Sequence, residues 1–245
     1  MCGRFVVARS VGELLTIFEA DEIVGDVPGV SYNVAPTQNI AIIVDRAFEK
    51  AEDGSPVGEL SREIHAARWG LIPRWSKGPG EAGAPLINGR IETLLEKPSF
   101  KESVIRRRCV IPASGYYEWQ VLADGTKQPF YIHAGQDGML ALAGLYEWWL
   151  DPTKGKDDPT RWLLSATTLT KHTAPELAHI HDRNPVLLSA ETFDAWIDPH
   201  IEGDSDLLDA MAEGSDQVAA EALFHKVSSD VGKVRINEPA LIQPI

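Results

Sequence analysis

The sequence is poor in cysteine, with only Cys2 and Cys109 among 245 residues. Two thiols form neither a disulfide framework nor a four-cysteine zinc site, and they fit a reducing cytosol. No segment approaches the roughly 18 apolar residues of a membrane span. The first residues, MCGRFVVARS, lack the basic start and apolar run of a signal peptide. We therefore expect a cytoplasmic protein with no membrane partner.

Positive charge is also scarce. The chain has 23 Lys and Arg against 36 Asp and Glu, which gives a net charge of −13. An acidic surface repels a phosphate backbone, which argues against indiscriminate nucleic-acid binding. Basic residues nevertheless recur at Arg4, Arg68, Arg74, Lys77, Arg90 and 106–108. A local basic groove is compatible with this pattern, so charge alone leaves the partner open.

Segments rich in Val, Ile, Tyr and Trp dominate the pattern of the chain. They predict strands near 4–8, 39–44, 63–70, 108–112, 115–120, 128–134, 139–149, 161–168, 185–188 and 223–227. Asp124-Gly125 predicts a hairpin between two of them. The polar, turn-rich segments 45–62 and 151–160 are interpreted as solvated insertions, and 76–85, with its glycines and prolines, as a mobile loop.

Helices are fewer. Ser10 and Glu13 form a capping box before an amphipathic helix. Other helical patterns cover 90–96, 99–106, 173–179, 189–197 and 205–224, the last with a predicted break at Gly214. The length suits one domain over 1–245. We predict an α+β fold with a curved, barrel-like, mostly antiparallel sheet flanked by helices.

Cys2 is the first candidate for chemistry. Removal of Met1 would leave an α-amine, with a pKa of about 8, beside a thiol with a pKa of about 8.5. Such a 1,2-aminothiol condenses with an aldehyde, first as an imine and then as a thiazolidine ring. The alternative is an unimportant terminus, but CGRFVV looks like a strand start with a permissive glycine.

Polar residues in two other segments are candidates as well. Asn88 and Arg90 lie two apart, so in a strand they face the same way. An amide can hold an amine or a sugar hydroxyl and a guanidinium can hold a phosphate, although an Asn-Gly turn with a surface arginine is the alternative. Glu118 lies among aromatic residues. It is either a structural ion-pair partner or a desolvated proton-transfer group.

His181 precedes Asp182 and Arg183 at a predicted loop-to-strand junction, which suits a general acid or base. His179 and His172 fit structural roles. No third ligand of matching type lies near the two histidines of 179–181, so we expect no metal and no cofactor.

Two tryptophans alternate with basic residues in the segment 68–75. Trp69 and Trp75, with Arg68 and Arg74, suit a stacking platform for single-stranded bases, and we expect one of the two tryptophans to be buried. Cys109 lies in an apolar strand and is predicted to be an inert core thiol.

Taken together, the motifs resemble the SOS-response-associated peptidase (SRAP) family, the abasic-site processing proteins. The motifs are CGRF at 2–5, YNVAPT at 32–37, RWGLIP at 68–73, INGRIET at 87–93, RRRCVIPASGYYEW at 106–119, LALAGLYEWW at 140–149, IHDRNPVLL at 180–188 and VRINEPALIQPI at 234–245. The order of several separate motifs makes the resemblance specific.

The resemblance implies a role for each matching residue. Cys2 would be the nucleophile, Asn88 would position it, Glu118 would be the acid–base carboxyl, and His181 would assist opening of the sugar ring and reversal of the adduct. Arg4 and Arg90 would hold phosphates. Further DNA contacts are expected from Trp69, Pro36, Asn33, Arg68 and Arg74. The sequence departs from the family pattern at Gly89, Ser114, Lys233 and Ile236.

The expected function is covalent capture of the abasic site in single-stranded DNA by Cys2, through a thiazolidine that shields the site during the DNA damage response. The expected protein is a monomer that associates with the nucleoid and replication proteins. Two alternatives stay open: a cysteine peptidase or amidase that also cleaves its own Met1, and a non-catalytic single-strand-binding module.

Overall fold

The computed structural model describes residues 2–81, 83–135 and 138–245. The fold is α+β and consists mainly of strands. They are β1 (Phe5–Val7), β2 (Glu22–Val24), β3 (Ser31–Val34), β4 (Asn39–Lys50), β5 (Pro56–Trp69), β6 (Asn88–Arg90), β7 (Arg108–Ala113), β8 (Gly115–Val121), β9 (Lys127–His133), β10 (Leu140–Leu150), β11 (Trp162–His172), β12 (Arg183–Pro185), β13 (Leu187–Leu188) and β14 (Leu223–Lys226).

The α-helices are α1 (Val11–Ile17), α2 (Lys101–Arg106), α3 (Ala190–Ile197) and α4 (Ser205–Ala220). Short 3-10 turns cover Ile91–Thr93, Pro175–Leu177, Ser229–Gly232 and Pro239–Ile242. In the part of the chain that the structure describes, no helix combines the length and the apolar character needed to cross a lipid bilayer.

The larger sheet curves until it closes on itself. Its order is β12-β11-β10-β7-β4-β5-β2, and β11 also pairs in parallel with β5, so that β4, β5, β11, β10 and β7 form a ring. Most of its strand pairs are antiparallel. This ring confirms the predicted barrel-like sheet.

The smaller sheet has the order β14-β9-β8-β1-β3 and is covered on both faces. Phe5 and Tyr116 belong to the main core, while Val6 and Tyr117 pack in a second cluster with the C-terminal residues Val231 and Leu241. Burial on both faces explains why β1 is apolar without alternation. The first residues of the chain are therefore held between the two cores.

The structure confirms several predictions that rest on local sequence signals. Ser10 and Glu13 form both hydrogen bonds of the capping box at the start of α1, and Asp124-Gly125 lies in the turn between β8 and β9, where Gly125 has a φ of 83°. Cys109 is fully buried in β7.

Two predictions were wrong. The segment 45–62 is not an insertion: β4 and β5 continue as a long hairpin through it, with a register shift between Ala47 and Glu49. The side chains of this segment are mostly exposed and polar, so the sequence pattern does not indicate a strand. The pairing of β4 with β5 there is made by backbone hydrogen bonds. Helix α4 does not break at Gly214. The structure also adds strands β2, β3 and β6, which are too short to show a period.

Candidate active site

Cys2 is held inside the protein by Asn88. Its side chain is fully buried, and the Asn88 amide donates a hydrogen bond from Nδ2 to the Cys2 carbonyl over 2.8 Å. Asn88 lies on β6, which pairs with β11 at Thr168. The Oδ1 atom of Asn88 is buried and has no hydrogen-bond partner among the described residues. The amide therefore anchors Cys2 with one atom and keeps an acceptor available with the other.

Glu118 and His181 face each other across the site. Glu118, on β8, is 2% exposed, and its Oε2 lies 3.9 Å from Nε2 of His181. The backbone N–H of Arg183 donates to Nδ1 of His181 over 3.0 Å. This bond places the proton of a neutral imidazole on Nε2, toward Glu118. Asp182 lies 2.9 Å from Nδ1, a contact that becomes an ion pair only when the ring is protonated.

Burial shifts the acid–base properties of both groups. It raises the pKa of Glu118 to about 7, because the carboxylate loses its hydration. Burial also lowers the pKa of His181, because it disfavours the imidazolium. Near neutral pH, Glu118 can thus give and take a proton, while His181 is a neutral hydrogen-bonding group.

The Cys2 thiol is not activated as a thiolate. Burial raises its pKa, and the nearby charge of Glu118 raises that pKa further. Its Sγ lies 3.9 Å from the Arg4 carbonyl oxygen. A reactive thiolate normally has a cation or a helix N-terminus beside it. At this cysteine, burial and the Glu118 carboxyl outweigh the N-terminal ammonium, which lowers the pKa of the thiol.

Arg4 and Asn33 are occupied by structural contacts. Arg4 donates from one nitrogen to Asn33 Oδ1 over 2.7 Å and to the Val231 carbonyl over 2.8 Å. Asn33 is 2% exposed, and its amide donates to carbonyls of the same C-terminal segment. The two residues thus tie the Cys2 segment to the end of the chain, and Asn33 offers no exposed face to DNA.

Of the two tryptophans, Trp69 is the buried one. It is fully buried, its ring packs edge-on against Phe5 at 5.0 Å, and its indole N–H donates to the Ile87 carbonyl. It supports the strand before Asn88 and cannot stack on a base in this conformation. Trp75, which is 61% exposed, has the accessible ring. Pro36 is half-buried in the turn between β3 and β4, where the next residue, Thr37, bonds to the Trp69 carbonyl.

The remaining arginines are more accessible. Arg90 and Arg74 are exposed, whereas Arg68 is half-buried and donates to the Gly70 carbonyl over 3.0 Å. Arg90 pairs in register with Thr170, two positions beyond the pair formed by Asn88 and Thr168. The predicted same-face relation of Asn88 and Arg90 therefore holds in β6.

Two residues of the site were missed by sequence reasoning. Tyr116 shares a face of β8 with Glu118, is fully buried, and its hydroxyl has no hydrogen-bond partner among the described residues. Burial raises its pKa well above the ordinary value, and nearby Cys2 and Glu118 add to the shift. The GYYEW spacing was the available signal, since residues two apart in a strand point the same way.

Arg183 is the second missed residue. Its guanidinium binds both carboxylate oxygens of Glu92, at 2.9 and 3.0 Å, and donates to the Thr170 carbonyl. Arg183 follows His181 and Asp182 in the chain, and Glu92 lies in the 3-10 turn directly after β6. The bidentate ion pair therefore fixes the segment that carries His181 against the end of β6. The sequence gives no indication of this pairing over 91 positions.

Two departures from the family pattern have a structural account. Ser114 accepts a hydrogen bond from the Ala8 N–H over 2.9 Å. Gly89 is buried, and a Cβ there would lie 2.8 Å from Leu94 Cδ2. The glycine therefore permits close packing of Leu94 against the strand between Asn88 and Arg90.

The fold and the site define a class of protein in which a closed, mostly antiparallel sheet buries a cysteine near the terminus beside an amide, a carboxyl and an imidazole. A family model described as SOS response associated peptidase (SRAP) matches residues 1–234, and the chain belongs to this family. The abasic site processing protein YoqW of Bacillus subtilis (strain 168) is 36% identical over 244 residues, 99% of each chain.

A more distant relative is the abasic site processing protein HMCES of Xenopus tropicalis. It is 31% identical over 237 residues, covering 88% of this chain and 66% of that protein. A crystal structure of a Bacteroides thetaiotaomicron protein has the same fold, with a TM-score of 0.75 and 22% identity over 100% of both chains.

Proposed function

We propose that this protein is an abasic-site processing enzyme that captures the ring-opened sugar covalently through Cys2. The observation that carries the proposal is the anchored, buried Cys2 backbone beside Asn88, Glu118 and His181. Family membership and the names of the relatives support the same target.

The proposed chemistry uses both groups of an N-terminal Cys2. Removal of Met1 frees the amine, which attacks the sugar aldehyde carbon and loses one water molecule to give an imine. The thiol sulfur then adds to the imine carbon, and its proton passes to the nitrogen, which closes a thiazolidine. Glu118, with a pKa of about 7, supplies and accepts the protons of sugar ring opening and imine formation.

Asn88 and His181 have separate tasks in this scheme. The Nδ2 atom of Asn88 holds the Cys2 carbonyl, and its buried Oδ1 accepts from the freed amine or from a sugar hydroxyl. His181, neutral and with its proton on Nε2, donates to the sugar oxygen as the ring opens. Both tasks follow from the hydrogen-bonding capacity of these side chains.

Burial of Cys2 supports single-stranded DNA as the substrate. A fully buried side chain is reached only by a sugar that bends out of its strand. A single strand permits this, whereas a paired and stacked duplex resists it. We expect capture of an abasic site to be much weaker in intact duplex than in single strands.

The peptidase alternative receives less support from the site. An amide hydrolase needs an activated thiolate, whereas burial and Glu118 raise the pKa of the Cys2 thiol. The binding-module alternative accounts for the arginines but not for a carboxyl with a pKa of about 7 beside a buried cysteine. In the capture scheme, removal of Met1 is a maturation step that precedes reaction with the sugar.

The test is capture of a single-stranded oligonucleotide that carries one abasic site. Wild-type protein that begins at Cys2 should give an adduct that survives denaturation. Cys2→Ala should give only a labile imine, stable after borohydride reduction, and Cys2→Ser should resemble it because an oxygen ring hydrolyses more readily. Cys109→Ala, the other cysteine, is the matched control and should retain capture. A stable adduct at wild-type yield from Cys2→Ala, or from protein that retains Met1, would disprove the mechanism.

A further inference from the structure

Three rings lie side by side next to the candidate active site. Phe130 on β9 and Phe224 on β14 have ring centroids 6.4 Å apart. The imidazole of His179 lies 6.2 Å from the first ring and 5.2 Å from the second. Phe130 is buried, whereas Phe224 is 39% exposed and His179 is exposed. Phe224 and His179 therefore form an accessible surface that packs on Phe130, and we call these two residues the aromatic patch.

The register of the smaller sheet places this patch beside Glu118. Phe130 is the direct antiparallel partner of Glu118, and such partners have Cβ atoms about 4.5–5.5 Å apart on one face of a sheet. His181 approaches Glu118 and His179 contacts Phe130, so the two histidines lie over neighbouring residues of that face. Gln120 donates to the His179 carbonyl over 2.8 Å and holds this segment on the sheet. The patch is thus adjacent to the candidate active site.

The surroundings of the aromatic patch suit a nucleotide. Lys226 is exposed and pairs with Phe130, so its side chain leaves the same face of the sheet as the rings. Proteins that bind single strands stack the bases on aromatic side chains, histidine included, and hold the phosphates with nearby cations. The exposed rings beside an ammonium group provide both kinds of contact.

We infer that the aromatic patch binds a nucleobase of the DNA strand whose abasic sugar lies at Cys2. An abasic nucleotide has no base of its own, so only the bases on either side of it can stack on the protein. Because Phe130 and Glu118 are direct neighbours, the patch is within reach of the nucleotides next to the abasic one. The inference rests on the proposed function for the identity of the strand, but the stacking itself needs no covalent step.

The test uses tetrahydrofuran, an abasic analogue that has no aldehyde and therefore binds without reaction. Labelled single strands carry it between normal bases, or with the two adjacent bases on the 5′ side or on the 3′ side also replaced by tetrahydrofuran. Fluorescence anisotropy with protein that begins at Cys2 measures the affinity. Loss of the bases on one side should weaken binding at least about fivefold, as expected for one stacked base. Equal affinity for the three strands, or no binding at millimolar protein, would overturn the inference.

Substitutions of Phe224 assign the base to the aromatic patch. Phe224→Ala should weaken binding of the strand with all its bases at least about fivefold. It should show no further loss when the bases of the sensitive side are removed, because both changes remove one contact. Phe224→Trp keeps a flat ring and should retain affinity, whereas Phe224→Leu is apolar without one and should resemble Phe224→Ala. Additive losses, or wild-type affinity in Phe224→Leu, contradict stacking.

Two further variants complete the comparison. Phe48→Ala removes another exposed phenylalanine, near the end of β4, and should bind every strand as wild type does. His179→Ala leaves the backbone carbonyl that Gln120 binds and gives the same test if Phe224→Ala is unfolded. Weakening by Phe48→Ala as large as that by Phe224→Ala would mean that the effect is not local to the aromatic patch.

Reaction with a strand that carries a true abasic site separates this inference from the proposed function. If Cys2 captures that strand, but base removal weakens Phe224→Ala as much as wild type, the aromatic patch is refuted and covalent capture is not. If no adduct forms while Phe224 and the base remain coupled, covalent capture is refuted and the base site stands.

Discussion

At the scale of single residues, the Glu118 carboxyl departs from its solution behaviour because burial raises its pKa to about 7. Its raised pKa has a consequence for stability. The unfolded carboxyl loses its proton near pH 4.5, while the folded one keeps it to about pH 7. The stability contribution is therefore fully present below pH 4.5 and is lost as the pH rises to 7, by at most about 3 kcal/mol.

Glu118→Gln should remove this pH dependence. The loss of unfolding free energy between pH 4.5 and 7.5, measured by urea denaturation, should be smaller in Glu118→Gln than in wild type. Glu59→Gln, at an exposed position, should follow wild type. If the two variants have the same pH dependence, the carboxyl of Glu118 is not desolvated in the folded protein.

The division of work between Glu118, His181 and Asn88 can be tested with two substrates. An abasic site is mostly a closed sugar ring, whereas an oligonucleotide with a free aldehyde needs no ring opening. Glu118→Gln should slow capture of the abasic site by roughly 10²-fold and affect the free aldehyde much less. His181→Ala should show the same preference and also slow release of a formed adduct.

Asn88→Ala should differ, because loss of its bond to the Cys2 carbonyl loosens the nucleophile for either substrate. Its rate of capture should fall equally on both oligonucleotides. Should Glu118→Gln also be equally slow on both, the carboxyl positions Cys2 and does not open the ring.

At the scale of elements, α3 and α4 approach closely at Gly214. A Cβ there would lie 3.1 Å from Cγ2 of Thr192, whose hydroxyl also accepts a hydrogen bond from the Ser189 N–H at the start of α3. The sequence pattern predicted a helix break because glycine is a poor helix former. Contact with a neighbouring helix explains the glycine instead.

This contact predicts coupling between two substitutions. Thr192→Ser removes the methyl group and keeps the capping hydroxyl, so in that background Gly214→Ala should stabilise by about 1 kcal/mol. In wild type the gain should be smaller, because the new Cβ presses on the methyl group. Urea denaturation of the four proteins measures the difference. Gly12→Ala, with open space around it, should have the same effect in both backgrounds, and an uncoupled Gly214→Ala would refute the close contact.

The elements that could be predicted from the sequence are those with a signal confined to neighbouring residues. The capping box of Ser10 and Glu13 is complete within four positions. The hairpin of β4 and β5 beyond Asp45 is held by backbone pairing, and side-chain polarity does not report that pairing. Similarly, residue chemistry marked Cys2 and Asn88 as candidates, but their contact over 86 positions depends on the packing of β6 against β11.

At the scale of the whole molecule, a net charge of −13 coexists with the exposed Arg90, two residues from Asn88 on β6. The overall charge repels DNA, so we propose that binding depends on a few local phosphate contacts. We expect a modest salt dependence for a single strand without an abasic site, where binding is reversible. Each phosphate contact contributes a slope of about −0.7 in log affinity against log salt.

Substitutions of Arg90 and Lys156 distinguish the effect of a local phosphate contact from the effect of the total net charge. Arg90 pairs with Thr170, whereas Lys156 lies in the turn before Trp162, the first residue of β11. About 26 Å of strand separates Trp162 from Thr170. Both substitutions by alanine lower the total charge equally. Arg90→Ala should weaken binding and reduce the slope by about 0.7, while Lys156→Ala should leave the slope unchanged. Fluorescence anisotropy between about 50 and 200 mM salt measures both. Equal changes in the two variants would mean that DNA responds to the total charge and not to a local groove at Arg90.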